Sequence, residues 1–309
     1  MPGGAAVPNT WPAHYNMSMD THKTPTARNM DLFGESGAAA AGVFVRERNC
    51  RTLIGKSGIP GVEFAANTYA GCAHACVYCY AKFMGDYTGR AEPWGAWVDA
   101  RVNAADVVAK QLATGCYAGR RVMLGSVTDA YQPIEEKYAL ARALLPLFAR
   151  HGVSVDILTK SPLVCRDMDI LKDMPDVSVG FSIAGVDEHA RAAFEPGAPP
   201  YADRLAALQT LSAAGIHTWV FVAPVLPGVT DRDFATLLDG VRAAGPRSIL
   251  FDKLNHATRN VQSLMRAARA ACPESLPQYR INPGAAAAPL KRKITAFQKS
   301  SGIPCRALF

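Results

Sequence analysis

Three cysteines lie within eight residues of one another, in the spacing C-x3-C-x2-C formed by Cys72, Cys76 and Cys79. Thiolates this close together can face one metal centre, and thiolates select iron–sulfur clusters or zinc. A zinc ion would need a fourth ligand from a distant part of the chain or from His74. A [4Fe–4S] cluster held by three cysteines would instead leave one iron open to a cofactor or substrate. Both alternatives predict a metal centre on this loop.

The composition predicts a globular protein that does not cross a membrane. The chain has 309 residues, of which 49% are hydrophobic, enough for one large domain or one and a half. No apolar run approaches the length of a membrane span, and residues 1–29 lack the hydrophobic core of a secretion signal. We therefore expect a cytoplasmic protein whose cysteines are thiols or metal ligands rather than disulfides.

The charge distribution allows an anionic partner without requiring one. The net charge is +7, and basic residues cluster at 46–51, at Arg120 and Arg121, and at 291–293. Such clusters suit a nucleotide-like ligand or a nucleic acid. They are equally typical of a solvated surface that binds nothing. Charge alone therefore leaves nucleic-acid binding open.

The pattern of apolar runs predicts an α/β fold with a parallel sheet. Candidate strands cover residues 62–67, 121–126, 154–159, 177–183, 218–224 and 248–252. Candidate helices alternate with them at 98–114, 134–150, 164–174, 201–214 and 231–244. Successive β-then-α units form right-handed crossovers, in either a partial barrel or a doubly wound sheet. The cysteine loop follows the first strand, at the edge of the sheet where active sites of parallel α/β folds lie.

Three regions follow from this pattern. Residues 1–40 are polar and end in a low-complexity run, which predicts a flexible N-terminal segment. Residues 41–255 carry the α/β domain. Residues 256–309 predict a C-terminal helical extension, with helices at 261–271 and 288–299 covering the mouth or side of the barrel.

Six motifs in order resemble one enzyme family. They read NTYAGCAHACVYCYA at 67–81, SVTDAYQPI at 126–134, LTKS at 158–161, GFSI at 180–183, FEPG at 194–197 and FVAP at 221–224. Together they resemble the radical S-adenosylmethionine (SAM) superfamily, in its spore photoproduct lyase-like or "DNA repair photolyase" branch. The resemblance implies a (β/α)6 partial barrel with one [4Fe–4S] cluster on the three cysteines and SAM chelated to the fourth iron.

The same resemblance implies a reaction. One electron, supplied by a reductant such as flavodoxin or ferredoxin, would cleave SAM to methionine and a 5′-deoxyadenosyl radical. That radical would then remove a hydrogen atom from a nucleoside, nucleotide or nucleic-acid substrate. A radical SAM enzyme acting on an unrelated small metabolite or peptide is one alternative. A non-catalytic metal-binding protein is another.

The family motifs also assign SAM contacts. Lys160 would neutralise the SAM carboxylate, Ser182 would hydrogen-bond the methionyl or ribose group, and the backbone at Ala223 would meet the adenine. Taken without the resemblance, Lys160 is typical of a barrel-edge lysine whose stem packs on apolar surface. Ser182 would then be an ordinary core hydroxyl.

Further candidates lie on the cysteine loop and at the end of the second strand. Tyr78 would either lie against the adenine or pack under the loop. Ser126, Thr128 and Asp129 would face the same mouth as the cysteines. Asp129 would either anchor the SAM amino or ribose group or cap the helix that begins near Ile134.

Two further charges have open interpretations. Glu195 either orients loops at the mouth or belongs to a Glu-Pro-Gly turn. Arg204 is either the partner of a carboxylate or a charge on a helix surface. The sequence does not decide between these readings.

One departure from the branch concerns the hydrogen donor. Spore photoproduct lyase has a cysteine at the end of its second strand, and Ser126 takes that position here. A serine O–H bond is too strong to give its hydrogen atom readily to a carbon radical, so thymine-dimer repair is not predicted. The remaining donor candidates are Cys165, Tyr80, Tyr131 and, in the tail, Cys305.

Overall fold

The computed structural model describes residues 37–40, 42–255 and 260–309. The strands are β1 (Gly37–Ala40), β2 (Val43–Arg48), β3 (Ile54–Lys56), β4 (Phe64–Ala66), β5 (Tyr69–Ala70), β6 (Trp97–Arg101), β7 (Arg121–Leu124), β8 (Ser154–Thr159), β9 (Val177–Ser182), β10 (His217–Val225), β11 (Ser248–Lys253) and β12 (Cys305–Ala307). Residues 1–36, most of the segment predicted to be flexible, lie outside the described residues. The last four residues of that segment form β1.

The helices alternate with these strands. They are α1 (Met84–Thr88), α2 (Ala104–Leu112), α3 (Glu135–Tyr138), α4 (Leu140–Arg150), α5 (Met168–Leu171), α6 (Glu188–Phe194), α7 (Tyr201–Ala213), α8 (Phe234–Ala244), α9 (Val261–Ala271), α10 (Leu276–Ile281) and α11 (Leu290–Ser301). Short 3-10 segments cover Tyr80–Phe83, Pro162–Asp167, Pro273–Ser275 and Pro283–Ala287. No helix in the described ranges is long and apolar enough to span a bilayer.

The main sheet confirms the predicted parallel α/β architecture. Within the described residues it has eight strands in the order β12-β11-β10-β9-β8-β7-β4-β3. All neighbours pair in parallel except β3, which is antiparallel to β4. The six strands predicted from the sequence are β4 and β7 to β11. Their carboxyl ends therefore meet at one edge, which is the mouth of the partial barrel.

The strands are apolar on both faces because both faces are covered. On β10, Val220 and Val222 pack outward into the main apolar core, where helices α7 and α8 contribute Leu208 and Leu237. Trp219 and Phe221 point the other way, into the barrel. Each fully buried aliphatic side chain in this layer stabilises the fold by roughly 1.5–3 kcal/mol. A change such as Leu208→Ala would therefore weaken the barrel wall.

A second sheet was not predicted and corrects one helix assignment. Its order is β1-β2-β6-β5 within the described part of the chain. Residues 97–101, predicted as the start of a helix over 98–114, instead form β6, and the helix begins only at Ala104. Buried Trp97 and Val98 pair with β2, and Ala100 pairs with both β2 and β5; this tertiary pairing outweighs their helical spacing.

This second sheet positions the start of the cysteine loop. Strand β5 pairs with β6 and ends at Ala70, immediately before the motif. Gly71 has φ 82°, and a Cβ on it would lie 2.4 Å from the backbone oxygen of Trp97. Only glycine fits this left-handed, close approach. The loop is therefore held against β6 at its first residue.

Other helix boundaries also differ from expectation. The helix predicted over 134–150 is divided at Ala139, which has φ 51°. The predicted 164–174 helix is divided between a 3-10 segment that ends at Asp167 and the short helix α5, and the 231–244 helix begins at Phe234. Helix α6 was not predicted; the side chain of Asp187 caps it by accepting from the N–H groups of His189 and Ala190. Helix α9 spans the range expected for it.

Candidate functional site

A cavity of about 410 Å³ opens at the carboxyl ends of the parallel strands. Its wall includes all three motif cysteines, Cys72, Cys76 and Cys79, together with Lys160 from the end of β8 and Ser182 from the end of β9. The remaining lining is largely apolar and aromatic. Cavities of this size with a few convergent polar groups are typical of ligand sites. The structure thus brings the cysteine loop and the strand ends into one site.

The three cysteines supply the thiol ligands that an iron–sulfur cluster needs. All are free thiols, and Cys72 and Cys76 are buried. Burial raises the pKa of the Cys76 thiol to about 12 and also raises those of Cys72 and Cys79, so thiolates here require a compensating cation. Among the described residues, no three His, Cys, Asp or Glu side chains converge enough to hold one metal ion. A cluster spreads its ligands, since each cysteine binds a different iron.

Side chains after β7 hold the loop at its first turn. The Gln132 side chain accepts a 2.8 Å hydrogen bond from the backbone N–H of Ala73 and donates to the carbonyl of Gly71 at 3.3 Å. Thr128 donates to the same carbonyl at 2.6 Å and accepts from Gln132 at 3.0 Å. Gln132 is fully buried. No role was predicted for it, although it lies within one of the quoted motifs.

His74 is a clamp rather than a metal ligand in this structure. Its Nδ1 lies 3.2 Å from the carbonyl oxygen of Gly197 and its Nε2 lies 3.1 Å from Asp129 Oδ2. Both ring nitrogens therefore have an oxygen acceptor within hydrogen-bonding distance. The ring is therefore not free to complete a zinc site.

Gly197 allows the FEPG segment to approach the cysteine loop closely. Its N–H donates to the carbonyl of His74 at 3.1 Å. A Cβ at this position would lie 2.1 Å from the backbone oxygen of Ala73. The FEPG segment is therefore packed directly against the cysteine loop.

Asp129 ties three parts of the mouth together. Besides His74, it accepts from Thr159 Oγ1 at 2.7 Å, from the N–H of Lys160 at 2.8 Å and from the N–H of Tyr131 at 2.9 Å. Burial opposes its charge, but His74 and these donors outweigh burial and lower its pKa to about 2. The cap near Ile134 that the sequence left open is not made. The Asp129 carboxylate instead holds the cysteine loop and the end of β8.

The C-terminal extension supplies a second clamp, which was not predicted. The Asn260 side chain donates to the carbonyls of Tyr78 and Cys79 at 3.0 and 3.1 Å. Ser263 and Lys82 both donate to the carbonyl of Val77, at 3.1 and 2.7 Å. These contacts join residues more than 180 positions apart in the chain, except for Lys82. No local sequence pattern marks them.

All seven residues predicted to contact SAM line the cavity: Tyr78, Ser126, Thr128, Asp129, Lys160, Ser182 and Ala223. Lys160 lies with its Nζ 5.8 Å from the centre of the Tyr78 ring, and the Ser182 hydroxyl donates to the carbonyl of Ala223 at 3.2 Å. Burial opposes the charge of Lys160, but attraction to the Cys76 sulfur in its thiolate form and to the Glu195 carboxylate outweighs burial and raises the pKa of Lys160. The Lys160 side chain therefore remains positively charged at the mouth of the barrel.

Behind Tyr78 lies a fully buried ion pair. Glu195 and Arg204 are both 0% exposed and pair through Oε2 and Nη2. The Tyr78 hydroxyl donates to Glu195, and Arg204 also donates to the carbonyl of Ser182 at 3.0 Å. Arg204 is thus a carboxylate partner, and Glu195 orients residues of the mouth. The ring of Tyr78 itself lines the cavity.

Comparison with known proteins identifies the family. Residues 66–241 match the radical SAM superfamily. The chain belongs to this superfamily. An uncharacterised protein of Methanocaldococcus jannaschii is 35% identical over 181 residues, which cover 59% of this chain and 67% of that protein. The radical SAM Nα-GlyT isomerase of Pseudomonas phage M6 is 26% identical over 182 residues, 58% of this chain and 36% of that protein.

The radical SAM fold is confirmed by a solved structure. Spore photoproduct lyase with bound AdoMet and dinucleoside spore photoproduct superposes with a TM-score of 0.63, covering 86% of this chain and 82% of that chain at 17% identity. This likeness shows the fold. Membership of the radical SAM superfamily implies an enzyme that uses SAM and an iron–sulfur cluster.

The structure separates the hydrogen-donor candidates of this radical SAM protein. Tyr80 and Ser126 line the cavity, and the Tyr80 hydroxyl donates to the carbonyl of Ser126. Tyr131 is instead buried in the core with its hydroxyl on Asp167 at 3.0 Å. Cys165 packs against α7, with Sγ 3.7 Å from the carbonyl of Ala207. Neither Tyr131 nor Cys165 lines the cavity, because both belong to the outer layer between sheet and helices.

Proposed function

We propose that this protein binds a [4Fe–4S] cluster through Cys72, Cys76 and Cys79, cleaves SAM reductively and abstracts a hydrogen atom from a nucleoside, nucleotide or nucleic-acid substrate. One observation carries the proposal. The three cysteines share a single cavity with the strand ends to which the sequence motifs assign SAM. When bound, a reduced cluster supplies one electron that cleaves SAM to methionine and a 5′-deoxyadenosyl radical. An external reductant such as flavodoxin or ferredoxin would provide that electron.

The residues at the strand ends supply a positive charge and polar groups that can bind SAM. The half-buried ammonium of Lys160 complements a carboxylate. Ser182 offers a hydroxyl and Ala223 a backbone carbonyl at the ends of neighbouring strands. Thr128 and Asp129 act differently, because Thr128 donates to the cysteine loop and Asp129 accepts from the residues at the end of β8. We assign them to positioning the loop.

The nucleotide assignment is supported by the walls of the cavity. Trp94, Trp219 and Phe221 line it, and aromatic faces of this kind hold flat rings. The solved spore photoproduct lyase, which has the same fold, carries a dinucleoside ligand. Of the predicted donors, Tyr80 is the one that lines the cavity beside Ser126. We therefore assign Tyr80 to the substrate side of the site.

Deuterium transfer tests the proposal directly. Reconstituted, reduced protein is incubated with SAM and deuterated nucleosides, nucleotides and short oligonucleotides, and 5′-deoxyadenosine is isolated for mass spectrometry. Transfer of deuterium from one of them supports the substrate class and names the reacting carbon. SAM cleavage with no transfer from any nucleotide, but transfer from a labelled peptide or small metabolite, would refute the nucleotide assignment.

A further inference from the structure

The last of the six predicted strands places a carboxyl group inside the cavity. Along β11, Leu250 and Asp252 line the cavity that the cluster cysteines also line. Ile249 and Phe251 pack into the main apolar core on the other side of the sheet. Alternate residues of a strand face opposite sides, so Asp252 shares the inward orientation of Leu250. The proposed SAM contacts lie on β8, β9 and β10, which leaves β11 for another ligand group.

The Asp252 carboxyl has few hydrogen bonds for a group that is only 4% exposed. Oδ1 accepts a 2.8 Å hydrogen bond from the backbone N–H of Lys253. Residues 37–40, 42–255 and 260–309 provide no other hydrogen-bond donor to this carboxyl. Asp129, on the same cavity, is instead held by four groups. The Asp252 carboxyl therefore retains acceptor capacity toward the cavity.

The pKa values of the Asp252 and Asp129 carboxyls differ in the same sense as their hydrogen bonding. Burial raises the pKa of Asp252 to about 6, whereas His74 and its other donors lower that of Asp129 to about 2. A buried carboxyl with hydrogen-bonding capacity left unfilled destabilises the folded protein. Such a group on a ligand cavity is typical of a site whose ligand completes the hydrogen bonds.

The surroundings define what that ligand group must be. The apolar and aromatic walls, including Trp219 and Phe221, hold a flat ring but distinguish poorly between rings of similar shape. A carboxyl acceptor next to a lysine donor fits a ring edge on which an N–H group adjoins a carbonyl, and a ring without a donor at that position leaves the carboxyl unpaired. Lys253 also lines the cavity and can donate to a carbonyl or phosphate oxygen.

We propose that Asp252 selects the substrate base by accepting a hydrogen bond from a ring N–H group next to a carbonyl. Thymine, uracil and guanine have this group, whereas adenine and neutral cytosine lack it. The inference rests on the proposed nucleotide substrate and deepens it by naming the class of base. Asp252 is on this assignment a specificity-determining residue that touches the substrate.

Methylated nucleotides test the hydrogen bond. Reconstituted protein with SAM bound is titrated with thymidine 5′-monophosphate and its N3-methyl form, and with guanosine 5′-monophosphate and its N1-methyl form. We expect at least one parent nucleotide to bind about tenfold or more tightly than its methylated form, since a hydrogen bond to a charged group is lost. Asp252→Ala should abolish this preference, and the shape-conserving Asp252→Asn should reduce it. The exposed Asp173→Ala variant is the matched control and should retain it.

Each contrary outcome has its own meaning. Equal binding of parent and methylated nucleotides by the wild type overturns the role of Asp252 and leaves the nucleotide assignment standing. A preference that persists in Asp252→Ala has a steric origin and also overturns it. Loss of SAM affinity in both Asp252 variants would place the carboxyl against the adenine amino group of SAM instead, which again overturns it. If no nucleotide binds at all, the nucleotide assignment fails together with this inference.

Discussion

His74 Nε2 lies 3.1 Å from Asp129 Oδ2, and both side chains are almost completely buried. His74 stands between the first two motif cysteines, while Asp129 lies in the segment after β7 and also holds the N–H of Lys160. This one contact therefore links the cysteine loop to two strand ends. A change at either residue should affect the loop without removing a cysteine.

Asp129→Asn should destabilise the protein and its cluster loop. The amide keeps the shape of the carboxyl, but it removes the negative charge that faces His74 and leaves one fewer acceptor for four donors. Breaking a buried, hydrogen-bonded pair of this kind costs about 3 kcal/mol. Urea unfolding of the apo protein and the iron content after anaerobic reconstitution measure the two effects. An unfolding free energy equal to that of the exposed control Asp173→Asn would contradict the proposed linkage.

Gly197→Ala should impair the same loop by a different route. The added methyl group would meet the backbone oxygen of Ala73 at 2.1 Å, so the FEPG segment or the loop must shift. We expect a reduced iron content after reconstitution and a loss of about 1–3 kcal/mol in unfolding free energy. Gly58→Ala is the matched control, because a methyl group at that position would have nothing within 4 Å of it. Equal iron content in the two variants would show that the close contact is unimportant.

The sequence predicted the central sheet and the location of the cysteines at its mouth because both depend on local patterns. Six apolar runs identify β4 and β7 to β11, and the C-x3-C-x2-C spacing is contiguous. Strand β6 was not predicted because it depends on tertiary pairing with β2 and β5, which the local sequence of β6 does not indicate.

The supports of the site were harder to predict than its cysteines. Asn260 and Gly197 reach the loop from distant parts of the chain. In its local sequence, Asn260 is typical of the start of a helix and Gly197 is typical of a turn. For Asp129 the sequence favours SAM binding or a helix cap, and its contacts to His74 and Thr159 arise only from the packing of three strand ends. Burial likewise distinguishes Tyr80, on the cavity, from Tyr131, in the core.

Asn260→Ala should weaken retention of the cluster. The variant removes two hydrogen bonds to the carbonyls of Tyr78 and Cys79 and leaves both carbonyls short of a donor. We expect iron to be lost to a chelator several-fold faster than from the wild type, with a stability loss of about 1–2 kcal/mol. Gln262→Ala, an exposed position on helix α9, which follows Asn260, is the control. Identical chelation rates in the two variants would exclude a role for this clamp.

Asp252→Asn should make the apo protein more stable above pH 6. The folded-state pKa of Asp252 is raised to about 6, so its stabilising protonation is complete below pH ~4 and lost as the pH rises through 6. An asparagine does not titrate, and the stability gap in its favour should widen by about 2 kcal/mol between pH 4.5 and 7.5. Denaturant unfolding at both pH values measures the gap. Parallel pH profiles for the variant and wild type would contradict the raised pKa.

The central claim is that three cysteines hold a cluster whose open iron accepts SAM. The most direct measurement is the release of 5′-deoxyadenosine from SAM by anaerobically reconstituted protein after reduction with dithionite, with Cys76→Ala prepared in parallel. We expect the wild type to release 5′-deoxyadenosine and Cys76→Ala to release none, because the variant lacks one cluster ligand. A wild-type protein that carries an intact, reduced cluster and still releases no 5′-deoxyadenosine would contradict the claim.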